Sequence, residues 1–129
     1  MNLDSVIGYL RLEGAGVFAL SIVAYRLLGG PGWLWFLVLL PDLSMVAYRF
    51  GPHIGARGYN LAHTYLVPLL LGLLGLLSGF TVLYDIALVW TAHIGADRLL
   101  GYGLKLPTAF GDTHLGQHRP SKPDKVVQV

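Results

Sequence analysis

The 129-residue sequence contains no cysteine and little charge, with seven acidic and nine basic side chains making up 12% of the chain. Without cysteine there are no disulfides, no thiolate metal sites and no cysteine nucleophile, so any metal must be held by nitrogen and oxygen ligands. Soluble domains carry roughly 25% charged residues, so water is the wrong solvent for most of this chain. A formal net charge of +2, with the basic residues dispersed over short loops and the tail, excludes a nucleic-acid-binding stripe. The N-terminus, MNLDSVIGYLRLEGAG, also lacks a basic leader region and a small-residue cleavage site. Its first apolar segment is therefore expected to stay in the mature protein.

What is present in quantity is hydrophobic side chain, 54% of the sequence. Four apolar stretches, at 14–28, 33–48, 59–77 and 81–100, are separated by short Gly, Pro or Arg punctuation such as Gly29-Gly30-Pro31-Gly32 and Gly51-Pro52. Each approaches the ~20 residues that cross ~30 Å of hydrocarbon, and none shows the polar face of a soluble core helix. Backbone groups in lipid must pair internally, so the stretches predict four membrane helices. The expected fold is an all-α four-helix transmembrane bundle over residues 1–116, ending in a short non-helical C-terminal segment, with a polar flexible tail at 117–129. Pro68, Gly72 and Gly75 fall inside the third helix, where small residues let helices approach closely. Arg11, Arg49, Arg57, Arg98, Lys105, Arg119, Lys122 and Lys125 collect on one side of the four helices and only Arg26 on the other. That asymmetry places both termini of a multi-pass membrane protein in the cytoplasm.

Asp and His inside a membrane cost a few kcal/mol each, which makes them functional candidates by default. Asp42, His63, His93 and Asp97 come from three different helices, yet at 1.5 Å per residue all lie within about 15 Å of the cytoplasmic ends. His93 and Asp97, four apart, share one helical face, as do Asn60 and His63. Asp42 follows Pro41, which removes a backbone hydrogen bond and can turn the local backbone toward a cavity. Two imidazoles and two carboxylates suit a divalent metal such as Zn, Mn or Fe(II). Asn60, Tyr102 and Asp112 are expected to border this site. His114 and Glu13 are candidate proton donors, and Lys105 is placed to neutralise an anionic group such as phosphate. Asp85 belongs near the opposite end of its helix, where a position at the outer interface is expected.

PDLSM at 41–45, GYNLAHTY at 58–65, AHIGADRLLGYGLK at 92–105 and DTHLG at 112–116 occur in this order. On these motifs the chain resembles domain of unknown function 4260, a family of small bacterial membrane proteins, over residues 10–116. The resemblance implies a four-helix membrane protein and no particular activity. The Pro-Asp at 41–42, a histidine-bearing helix and His-x-x-x-Asp at 93–97 are also similar to the pattern of YdjM-type membrane proteins, predicted metal-dependent hydrolases. Ser44 stands where that pattern has a second aspartate, and His63 alone where two histidines are usual, and these departures argue against a dinuclear site and leave a mononuclear site or none.

The function these residues predict is hydrolysis of a lipid or lipid-linked phosphate or ester from the cytoplasmic side, with membrane lipids as the partners. Proton or cation transport through the same Asp and His groups, haem ligation by His63 and His93, and a structural subunit role are the alternatives.

Overall fold

The computed structural model describes residues 2–108 and 110–117. All its long elements are helical: α1 (Leu3–Leu28), a 3-10 helix η1 (Gly32–Phe50), α2 (Pro52–Ala62), α3 (Leu66–Ser78) and α4 (Thr81–Leu100). A small antiparallel hairpin follows, β1 (Asp112–Thr113) paired with β2 (Gly116–Gln117). With α2 and α3 taken as one broken rod, this is the expected four-helix bundle. α1, η1 and the α2–α3 rod are each long and apolar enough to cross a membrane. α4 carries Asp85, Asp97 and Arg98 and is the innermost helix, packed against α1, η1 and α3. Residues 118–129, most of the expected tail, lie outside the described residues.

Small residues let α4 sit at the centre. A Cβ on Gly95 would lie 2.8 Å from the Phe18 nitrogen and 2.9 Å from the Gly14 oxygen, and one on Gly75 would lie 2.8 Å from the Tyr84 nitrogen. All three contacts are closer than real side chains tolerate, so these glycines set the α1–α4 and α3–α4 spacings. Outward-facing Leu20, Leu27, Phe36, Leu69 and Leu77 are highly exposed, as residues that face lipid should be.

The second span was expected to be α-helical and is instead a 3-10 helix. At ~2.0 Å per residue its 19 residues reach about 38 Å. Side chains three apart eclipse in this geometry, and the row Trp35, Val38, Pro41, Ser44 and Ala47 is partly or fully buried from end to end. Pro41 has no N–H to return to the Val38 carbonyl, so that carbonyl is free for another donor.

The third span was expected to be continuous over 59–77, with a loop before it. Helix in fact begins at Pro52, a favoured first helical residue, and breaks at residues 63–65. Pro68 explains the break: it cannot donate to the Thr64 carbonyl, and its ring crowds that turn. Carbonyls released in hydrocarbon must find donors, and α4 supplies them. Trp90 Nε1 donates to the Ala62 oxygen at 2.7 Å, and Arg98 Nη2 donates to the His63 oxygen at 2.7 Å.

After α4 the chain folds back onto the bundle. The Asn60 amide pairs with the backbone of Lys105, accepting from its N–H at 2.6 Å and donating to its oxygen at 2.9 Å. The Leu106 N–H donates to the Asp112 oxygen at 2.8 Å and the His114 N–H to the Leu104 oxygen at 3.1 Å, closing a compact loop over 104–114.

Candidate metal centre

Asp42 from η1, His63 at the α2–α3 break, and His93 with Asp97 from α4 present one donor atom each, all within 4.8 Å of one another. His63 Nε2 lies 3.2 Å from Asp42 Oδ1 and 3.6 Å from Asp97 Oδ2. His93 Nε2 lies 3.2 Å from Asp42 Oδ1 and 3.3 Å from Asp97 Oδ2. The two Nε2 atoms are 3.2 Å apart. Four ligands placed tetrahedrally at the usual 2.0–2.1 Å around a zinc ion are separated by about 3.3 Å, so five of the six edges already match a single-ion site. The imidazoles are buried and the carboxylates partly exposed, which puts the accessible side between Asp42 and Asp97.

Tautomers follow from the other ring nitrogens. His63 Nδ1 lies 2.8 Å from the Tyr59 carbonyl oxygen, which accepts its N–H, leaving a lone pair on Nε2. The backbone of Val38 interacts electrostatically with His93, and its carbonyl is the one that Pro41 leaves without its helical donor. Carbonyl support of this kind fixes a ligating imidazole in place and raises its basicity. With both imidazoles protonated on Nδ1, two lone pairs and two carboxylate oxygens converge with no donor among them, an arrangement that repels itself unless a cation or a shared proton lies at its centre. Two carboxylates also balance one divalent charge, which suits a site at membrane depth.

Tyr59 does more than present its carbonyl. Its ring stacks on His63, with centroids 3.7 Å apart and planes 8° from parallel. The Lys105 ammonium packs against the same Tyr59 ring at 4.9 Å and against Phe110 at 3.7 Å. Burial holds the Lys105 ammonium below its usual pKa, with Asp97 pulling the other way. Lys105 is thus one ring removed from the imidazoles and within electrostatic reach of Asp97.

The other sequence-predicted residues are dispersed around the cluster and away from it. Asn60 anchors Lys105 and leaves the orientation of His63 to the Tyr59 carbonyl. The Tyr102 N–H donates to the Asp97 oxygen at 2.7 Å, and its own carbonyl accepts from Arg98 Nη1 at 2.7 Å, so it borders the site through its backbone. Asp112 Oδ2 accepts from the Thr108 hydroxyl at 2.6 Å within the returning loop. Glu13 and His114 come together on a different cavity, which none of the four clustered residues lines. Burial and the nearby Arg98 charge push the His114 imidazole below its usual pKa. Asp85 lies in the first turns of α4, at the end expected, and is turned into the protein. It is 5% exposed, with an Oδ1 that finds no hydrogen-bond partner among the described residues.

Sequence reasoning missed four contributors: the Val38 and Tyr59 carbonyls, Trp90 and Arg98. A signal for the last two was available, because Trp90, His93, Asp97 and Arg98 follow the i, i+3, i+7, i+8 spacing of one helical face.

Residues 8–118 match the family described as Domain of unknown function (DUF4260). The similarity to YdjM-type proteins is not shown by that match. No curated protein and no solved structure matches the chain.

Proposed function

Because the chain belongs to the family described as Domain of unknown function (DUF4260), which supplies no activity, we propose from the site alone that this membrane protein is a mononuclear metal-dependent hydrolase of a lipid or lipid-linked phosphate or ester. Asp42, His63, His93 and Asp97 hold a divalent ion, with Zn, Mn and Fe all suited to two nitrogens and two oxygens. The ion supplies Lewis acidity toward a phosphoryl or carbonyl oxygen and activation of water. The chain's own residues do the rest. Carbonyls of Tyr59 and Val38 keep both Nε2 atoms deprotonated and aimed inward. The gap between the carboxylates admits the polar group of a substrate, and Lys105 adds positive potential where that group arrives. The eight-to-one distribution of basic residues in the sequence supports a mouth on the cytoplasmic side.

The observation that carries this proposal is the convergence of four potential ligand atoms, with five of their six separations at 3.2–3.6 Å. Lipid as the substrate class is supported by an apolar cavity of about 190 Å³ beside the cluster, lined by Leu37, Leu40, Pro41, Ala62, Val89 and Trp90. Pro41 and Ala62 immediately precede two of the ligands, so an acyl chain in this cavity would leave its head group at the site.

Transport fits less well. Asp85, the other buried acid of α4, lies eight residues or about 12 Å from His93, and the buried residues between them are Ala87, Val89 and Ala92. Haem fits poorly too, since a porphyrin cannot pass between imidazole nitrogens 3.2 Å apart.

The test is reconstitution of metal-loaded protein in liposomes doped with lipid phosphate monoesters, phosphodiesters or carboxylic esters. Release of product by the wild type, and none by Asp42→Asn, is expected. Cation flux across sealed vesicles without any chemical change would replace the hydrolase with a carrier.

A further inference from the structure

A second polar site lies where α4 meets α1, in a cavity that none of the four clustered residues lines. Between α1, α4 and the returning loop is a cavity of about 450 Å³ whose lining includes Glu13, Gly16, Leu20, Tyr65, Arg98 and His114. Arg98 is only 8% exposed. Its guanidinium donates to the carbonyls of His63 and Tyr102, but among the described residues no carboxylate lies within ion-pairing distance of it. A buried cation with only neutral acceptors is costly and calls for an anion. Glu13 stands on the same lining without reaching Arg98, which leaves room between the two charges. His114 Nδ1 accepts the Leu104 N–H at 2.8 Å, so in the neutral ring Nε2 carries the proton and is a further donor. From this polar end the wall continues along α1 through Gly16 to Leu20, about 6 Å deeper into the membrane.

We propose that this cavity binds one phospholipid with an amine-bearing head group: its phosphate against Arg98 and His114, its ammonium against Glu13, and an acyl chain along the Gly16–Leu20 wall of α1. Guanidinium is the side chain best matched to phosphate oxygens, and a charge pair of opposite sign set apart on one lining matches a zwitterion better than a simple anion. The site uses none of the four clustered ligands and stands whether or not a metal binds them.

The test is native mass spectrometry of the full chain in detergent, titrated separately with dihexanoyl phosphatidylethanolamine, dihexanoyl phosphatidylglycerol and inorganic phosphate. One phosphatidylethanolamine per chain is expected, bound more tightly than phosphatidylglycerol, with inorganic phosphate a weak competitor. Arg98→Gln should abolish binding, but Arg98 also supports the backbone and this variant can fail to fold. Gly16→Leu separates the two effects, because a Cβ at Gly16 meets nothing within 4 Å. The added side chain fills the cavity without disturbing the helix, and should weaken lipid binding roughly tenfold or more while leaving metal content unchanged. Glu13→Gln should erase the preference for the amine. Equal lipid affinity in the wild type and Gly16→Leu overturns the site. Equal binding of both lipids by the wild type overturns the role of Glu13, and phosphate binding as tightly as the lipids overturns the lipid assignment.

Discussion

Replacing Pro41 with alanine should make the protein more stable and its metal site weaker. Pro41 sits in the middle of η1, where proline disfavours a helix by up to ~3 kcal/mol relative to alanine. Alanine restores an N–H that bonds back to the Val38 carbonyl, drawing that carbonyl into line with the helix. The same carbonyl supports His93. Losing the partner that orients a ligating imidazole typically weakens metal affinity by about 10- to 100-fold. Thermal unfolding in detergent with chelator present measures the first effect, and competition with a chelator of known affinity measures the second. A higher midpoint together with 10- to 100-fold weaker metal binding is the expected pair. Raised stability with unchanged affinity would show that Val38 does not hold His93, and the role given to the Pro-Asp motif would fall.

Trp90→Phe keeps an aromatic ring but removes the donor to the Ala62 carbonyl, so it should cost about 0.6–1.7 kcal/mol, the range for interhelical hydrogen bonds in membranes. Unfolding curves of the two proteins measure this, and identical stability would mean that the break before His63 needs no such support. His114, held below its usual pKa, favours the folded state in its neutral form. Its contribution is full above the unfolded value of ~6.5 and is lost as pH falls through the lower folded value. Stability should therefore decline below about pH 6.5, and His114→Asn should flatten that decline. An unaltered pH profile in the variant would remove His114 from the account.

The spans were legible from run length against bilayer thickness, and the four clustered residues from a shared depth together with the i, i+4 spacing of His93 and Asp97. The helical state of the second span was not legible, since 3-10 and α geometry accept the same apolar residues. Pro68 was read as a tolerated interior proline, and its effect on Thr64 became visible only with Trp90 and Arg98 in place to take the released carbonyls. Arg98 counted as a topology signal from the sequence alone. Its burial depends on Gly14 and Gly95, which bring α1 against α4, and such a contact between distant residues leaves no trace in either segment. Glu13 was assigned by its depth and His114 by a C-terminal segment able to fold over the bundle mouth, and neither says which cavity a side chain lines.

The central claim is that Asp42, His63, His93 and Asp97 hold one divalent ion. X-ray absorption on wild-type protein, purified in mild detergent and loaded in turn with Zn, Mn and Fe(II), tests it most directly when paired with Asp97→Asn. Asparagine keeps the size and hydrogen-bonding capacity that structural packing needs, but lacks the negative charge that a divalent ion needs. The account predicts one ion per chain in the wild type, with nitrogen and oxygen neighbours at about 2.0–2.2 Å, and none in a variant that still inserts and stays monodisperse. No ion in the wild type under any loading, or full occupancy in Asp97→Asn, would contradict it and leave the cluster as a shared-proton contact between helices.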